Sequence, residues 1–208
     1  MESLGEARRA RRAEVRRSSI LQAAARVFAR CGFDKATTRE IALEADVSEG
    51  TIYNYFDSKQ RVVDALVEEV QAKFGALTAS LPAQLSARQA LIQAARSALD
   101  LVYDEAVTIR GLVSVMWDQV GGLHGYLVPG LQGLIGVVEG HIRLGIRTGR
   151  LRPCDAAAAA RMVAGMVIFL AMPYLRGMEA LPSSQVRQQQ AELVATVFLD
   201  GLAQQGGE

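Results

Sequence analysis

Apolar side chains recur every three or four positions along nearly all of the 208-residue chain, and no sustained run alternates apolar with polar between turn residues. A period near 3.6 belongs to a helix with one buried stripe, so an all-α fold is expected. The first stripe, Ile20, Leu21, Ala24, Val27, Phe28 and Cys31, closes at Gly32, a residue type that accepts the left-handed helix-end conformation. Thr37 and Glu40 then stand in the T-x-x-E spacing of a capping box, opening a short helix with Ile41, Ala42 and Ala45. Asp46 and Val47 break it, and Ser48 can cap a third helix running through Thr51 to Phe56. Asp57, with Gln60 three places on, is expected to cap a long fourth helix bearing Val63, Leu66, Val67, Val70, Phe74 and Leu77, which ends before Pro82.

Beyond that break the stripe resumes with Leu85, Leu91, Ile92, Ala95, Leu99 and Val102, and again from Val107 to Trp117. Gly121, Gly122, Gly125, Pro129 and Gly130 crowd together and predict a loop. Leu131 to Ile146 supplies another helix, stopped near Gly149; Asp155, after Pro153, opens an apolar helix to about Gly177. Pro182 with Ser183 and Ser184 starts the last, which carries Leu193, Val194, Val197, Phe198 and Leu202. The stretch 156–175 is apolar enough to suggest a membrane span, but Arg161 lies inside it and Pro173 near its end. Its richest part, 162–171, falls well short of the about 20 apolar residues a bilayer crossing takes, so a buried helix and no membrane partner are expected.

Half of the residues are apolar, 22% are charged and the net charge is +1. That balance excludes a disordered chain and a globally basic one, so any affinity for phosphate has to come from local placement of charge. Residues 1–61 hold 12 Lys+Arg against 9 Asp+Glu, whereas residues 62–208 hold 11 against 13. Arg8, Arg9, Arg11, Arg12, Arg16 and Arg17 fall within ten residues opposed only by Glu14. Such a cluster is either a phosphate-seeking arm or a solvated helix start that aids solubility. Cys31 and Cys154 have no C-x-x-C or Cys/His spacing, so neither a disulfide framework nor a metal site is expected, and a reducing, cytoplasmic setting follows. No secretory signal of apolar run and small-residue cleavage site follows Met1, so export by that route is not expected. The sequence lacks G-x-S-x-G, H-E-x-x-H, a Walker-type loop and a strand-linked G-x-G-x-x-G, which leaves no candidate catalytic residue or cofactor and argues against an enzyme.

The two short helices between Thr37 and Phe56, joined by a turn of a few residues and braced by a helix on each side, have the layout of a helix-turn-helix. At 100° per residue Ile52 and Phe56 coincide on one side of the second helix, while Gly50 and Asn54 point opposite, flanked by Thr51 and Tyr53. An apolar inner face and a small, polar outer face suit a helix that enters the major groove. Spacing alone leaves open a helical pair that merely packs and never touches DNA.

The run Gly32 to Lys59, G-F-D-K-A-T-T-R-E-I-A-L-E-A-D-V-S-E-G-T-I-Y-N-Y-F-D-S-K, resembles the DNA-binding domain of the TetR family of bacterial transcriptional regulators, with cap, turn, recognition helix and following lysine in order. Beyond it, R-L-R-P-C-D at 150–155 and F-L-D-G-L at 198–202 fit more weakly. The resemblance implies a nine- or ten-helix all-α homodimer: residues 1–61 as a DNA-binding domain with its basic arm, and 62–208 as a ligand-binding and dimerisation domain. It implies phosphate-holding positions at Thr38, Thr51, Tyr53 and Lys59, and base-facing ones at Arg39, Gly50, Asn54 and Tyr55. Arg39 suits a bidentate pair with guanine and Asn54 one with adenine, and the amide end of the recognition helix at Ser48 adds partial positive charge.

In the second half, Tyr103, Met116, Trp117, His124, Tyr126, Met166, Phe169 and Met172 offer the apolar and aromatic mix of a pocket for a hydrophobic or aromatic small molecule, although core packing explains each equally well. Val163, Met166, Val167 and Leu170 on one of the last two helices, and Leu193, Val194, Val197 and Phe198 on the other, exceed what one small core uses. Pairing with a second copy would bury the surplus as a four-helix bundle. The function expected is a sequence-specific repressor, released from a palindromic double-stranded DNA operator by a small molecule. A constitutive DNA binder without a ligand, and an α-helical small-molecule-binding protein or enzyme, remain as alternatives.

Overall fold

The computed structural model describes residues 4–79, 85–118 and 128–202, and within them the chain forms nine α-helices. These are α1 (Leu4–Cys31), α2 (Thr38–Glu44), α3 (Glu49–Tyr53), α4 (Lys59–Ala79), α5 (Ala87–Asp104), α6 (Ala106–Asp118), α7 (Val128–Arg147), α8 (Ala156–Leu175) and α9 (Ser184–Leu202). By packing they fall into two compact units, residues 1–69 with 107–126, and residues 70–106 with 127–208.

The first unit is built around α1. Ile20, Leu21, Ala24, Val27 and Phe28 are fully buried, and the helix stops where Gly32 turns to φ 80° and its N–H reaches the Phe28 carbonyl at 2.9 Å. The arginines ahead of Ile20 belong to the same continuous helix, so the basic segment is ordered as a rod and not as a tail. Within this unit α6 crosses α1 closely. A Cβ on Gly111 would stand 2.7 Å from the Ala25 carbonyl oxygen, and the Ser114 hydroxyl donates to the Phe28 carbonyl at 2.8 Å.

The second unit packs α5 against α7, α8 and α9, with α7 along α8. An ion network fixes α9 on α5: the Arg187 guanidinium reaches Asp100 at 3.1 Å and Asp104 at 2.8 Å and lies over the Tyr103 ring, and Arg96 reaches Asp100 at 2.7 Å and the Ser184 carbonyl at 2.9 Å. Ala159, Ala160, Val163, Ala164, Val167 and Ala171 turn one side of α8 into this core. The helix is long and apolar enough to cross a membrane by composition, yet its inward side is the core of the unit.

Three boundaries differ from the sequence expectation. The third helix closes at Tyr53, with Asn54 as its C-cap, because the chain must turn there to send Phe56 into the core. The following helix is capped by Ser58, whose hydroxyl accepts from the Arg61 N–H at 3.2 Å, and not by Asp57 one place earlier. Helix α7 begins at Val128, not Leu131: Pro129 sits in its first turn, where a missing N–H costs nothing. Gly121, Gly122 and Gly125 lie outside the described residues.

Gly111→Ala replaces glycine with a better helix former but drives a methyl into the α1 backbone. The clash should dominate, costing about 1–3 kcal/mol and lowering Tm in a thermal melt; an unchanged or raised Tm would show that α1 and α6 do not meet this tightly.

Candidate nucleic-acid interface

Helix α3 has only five residues, too few to hold itself in water. Its conformation is imposed from both ends. Upstream, α2 is started by a complete capping box: the Thr37 hydroxyl accepts from the Glu40 N–H at 3.1 Å, and the Glu40 carboxylate accepts from the Thr37 N–H and hydroxyl, each at 2.9 Å. Helix α2 ends in a Schellman turn, with Val47 N–H on the Ala42 carbonyl at 2.9 Å and Asp46 N–H on the Leu43 carbonyl at 3.2 Å. Asp46 occupies the left-handed position at φ 53°, normally taken by glycine and tolerated by aspartate. Ser48 then caps α3, accepting from the Thr51 N–H at 3.2 Å and sharing a 2.8 Å hydrogen bond with the Thr51 hydroxyl.

Packing fixes how α3 is rotated. Ile52 is 1% exposed and Phe56 5%, with the Arg17 guanidinium over the Phe56 ring, so the opposite side faces solvent. Gly50, Tyr53 and Asn54 are exposed, Tyr53 at 51%, and a Cβ at Gly50 would meet nothing nearer than the Ser48 hydroxyl at 3.9 Å. Arg39 projects from α2 into solvent. Thr38 joins the two helices: its hydroxyl donates to Glu49 at 2.6 Å and lies 3.3 Å from the Tyr53 hydroxyl. Thr38, Ser48, Gly50, Thr51, Tyr53 and Asn54 thus gather around α3. Tyr55 does not share that outward side; it is half-buried and lines an open concavity with the arginines of α1.

Lys59 has a different surrounding from the one its position suggested. Its ammonium donates to the carbonyls of Phe33 and Ala36 at 2.5 and 2.8 Å, approaches that of Asp34 at 3.5 Å, and sits over the Phe33 ring. Three carbonyls match three ammonium protons, so Lys59 ties the start of α4 to the α1–α2 turn and positions the helix pair. The role of Glu49 is not signalled by the sequence, where it reads as part of a cap and turn; its carboxylate holds Thr38 against Tyr53. Glu44 is a second brace, paired with Arg26 at 2.7 Å and Arg30 at 3.2 Å of α1.

The four expected small-molecule pocket residues whose side chains are described, Tyr103, Met166, Phe169 and Met172, do not line one cavity. Tyr103 is buried, stacked edge-to-face on Tyr174 at 5.3 Å, and donates to Gln190 at 2.8 Å; burial pushes its phenol up to about 12. Met166 lines a shallow groove with Met162 and Val197, Met172 is half-buried, and Phe169 is 78% exposed. His124 and Tyr126 lie outside the described residues, as do the side chains of Met116 and Trp117. An apolar cavity among Leu91, Val138, Ile142 and Phe198 holds about 10 Å³, at the limit for one water. Among the described residues no cluster of His, Cys, Asp and Glu is arranged to hold a metal ion.

Residues 20–66 match the sequence profile of bacterial regulatory proteins of the tetR family. The HTH-type transcriptional repressor NicS of Pseudomonas putida is 29% identical over 69% of this chain and 68% of its own length. The HTH-type transcriptional repressor KstR2 of Rhodococcus jostii is 32% identical over 43% of this chain and 50% of its own. In fold, the transcriptional regulator FadR of Bacillus subtilis in complex with stearoyl-CoA superposes with a TM-score of 0.71 at 19% identity, over 86% of this chain and 97% of that one.

Two outcomes test the local chemistry. Lys59→Met keeps the aliphatic stem and removes the three bonds, so it should cost about 1.5–3 kcal/mol of stability; a wild-type Tm coupled to weaker binding of every DNA sequence would instead assign the ammonium to phosphate. The capping bonds from Thr37 hold the Glu40 carboxyl below its usual range. Their stabilisation is therefore present above the unfolded carboxylate's pKa, about 4.3, and lost as pH falls through the lower folded value. Glu40→Gln should flatten that part of a Tm-against-pH curve; an unchanged acid slope would show that the box contributes nothing to it.

Proposed function

We propose that the chain, which belongs to the tetR family of bacterial regulatory proteins, is a dimeric repressor that reads a palindromic operator with α3 and leaves it when a hydrophobic small molecule binds the second unit. It is a DNA-binding transcriptional regulator, and we read it as no enzyme and as acting in the cytoplasm, where its DNA lies. The observation that carries the proposal is the division of α3: Ile52 and Phe56 bury one side, leaving Gly50, Asn54 and Tyr53 on the other. Gly50 lets the helix backbone come near base edges. Asn54 has the amide that pairs with adenine, Arg39 the fork that pairs with guanine, and Thr38, Thr51 and Tyr53 the hydroxyls that reach phosphates.

In this reading residues 1–61 form the DNA-binding domain and 62–208 the ligand-binding and dimerisation domain. Met162, Phe169, Leu193 and Val197 stand exposed on α8 and α9, two helices packed side by side. Large apolar groups clustered on one surface support burial against a second copy. Two recognition helices would then meet half-sites about one helical turn apart, or a multiple of it. Release by a ligand rests on the stearoyl-CoA held by the Bacillus subtilis FadR, which shares this fold. A ligand of that kind would have to open the second unit, whose interior around Leu91 and Ile142 is packed shut.

Selection from a random duplex pool tests the reading. It should return a two-fold symmetric sequence bound at least about 10³ more tightly than bulk DNA at physiological salt. Asn54→Ala should then relax the preference at one base pair per half-site by about 1–3 kcal/mol and leave the others unchanged. A pool that yields no preferred sequence contradicts operator reading, and a uniform loss in Asn54→Ala contradicts the base contact.

A further inference from the structure

Helix α1 runs from Leu4 for about four turns before its first buried side chain, Ile20, and residues 5–16 are exposed throughout. Arg8, Arg12 and Arg16 repeat every fourth residue along one ridge of this extension, with Arg9 and Arg11 on either side. Tyr55, from the turn after α3, closes an open concavity against these five arginines. Among the described residues none of the five makes an ion pair, whereas Arg17, Arg26 and Arg30 are engaged with Phe56 and Glu44. Like charges four apart on a helix repel, and Arg8, Arg12 and Arg16 stack two such pairs in an extension that holds only two acids, Glu6 and Glu14. The fold gains nothing from that pattern. A line of phosphates along the ridge turns the repulsion into attraction and needs no base sequence.

We infer that the exposed half of α1 and Tyr55 form a second DNA-backbone site, which holds phosphates of the duplex flanking the half-site read by α3. The inference rests on the operator reading proposed above. Duplex DNA is the occupant because the concavity opens beside the turn that leaves the recognition helix, so a duplex seated on α3 passes the arginines. As part of a continuous helix anchored at Ile20, Leu21 and Ala24, the arm presents its charges in a fixed register. It lengthens the footprint without adding base preference.

The test uses the full chain and the operator recovered by pool selection, in two lengths: one trimmed to the half-sites and one with several extra base pairs at each end. Binding is titrated between about 50 and 200 mM salt for the wild type and for the variant R8Q/R9Q/R11Q/R12Q/R16Q, in which glutamine keeps a comparable helix propensity. Each phosphate that the variant no longer neutralises takes about 0.9 from the slope of log K against log salt, so with one phosphate on each of the ridge residues Arg8, Arg12 and Arg16 the variant should be shallower by about 3 per bound protomer. Trimming should weaken the wild type about tenfold or more and leave the variant nearly unaffected, and both should prefer the same bases. Equal slopes, or a variant as sensitive to trimming as the wild type, overturn the arm site while operator reading stands. Should the variant not fold, the wild type alone decides, since insensitivity to trimming overturns the inference. A wild type that selects no operator defeats the α3 reading first, and is seen before any variant is made.

Discussion

The burial of Ile52 and Phe56 is the constraint on which the interface depends. Helix α3 is too short to exist alone, since a first helical turn fixes several residues for one hydrogen bond. Its outward side is defined only because those two side chains, Phe56 with Arg17 over its ring, set its rotation. The capping box of α2, the Schellman turn at Asp46 and the Ser48 cap then align it within a few residues of chain. Lys59 closes the frame by binding carbonyls from the α1–α2 turn, so both sides of the helix pair are tied to one scaffold.

Much of this was legible in the sequence because the signals are local. Thr37 with Glu40, Ser48, Asp155 and Gly32 each act within three or four residues, and each sits where its spacing placed it. The apolar stripe of α1 was equally plain. Features that depend on distant partners were not. Lys59 faces Phe33 and Ala36, more than twenty residues away, and no spacing rule links them. The stop of α3 at Tyr53 and the shift of the next cap to Ser58 follow from drawing Phe56 inward, a tertiary demand that overrides helix propensity. Pro129 and Gly130 read as a loop because composition cannot tell a breaker inside a helix from one in its first turn.

The second unit was less legible for a different reason. Met, Tyr and Phe fill a core and line a ligand chamber with equal ease, and the chain uses them for several purposes. Tyr103, itself buried, joins half-buried Gln190, Tyr174 and Arg187, while Met166 belongs to an external groove and Phe169 to open surface. The contrast between the units is one of chemistry. The first arranges caps, arginines and hydroxyls around an exposed helix, and the second buries alanine-rich surfaces on α8 while leaving apolar groups outside.

In the proposed complex the outward side of α3 sits in the major groove. Methylation interference on a selected operator tests it most directly, because dimethyl sulfate marks guanine N7 in the major groove and adenine N3 in the minor groove. Within the half-sites, methylation at guanine N7 should abolish binding in two tracts related by the operator's symmetry, while adenine N3 methylation in the same tracts should have no effect. Interference confined to adenine N3 there, or absent from both positions, would contradict the account.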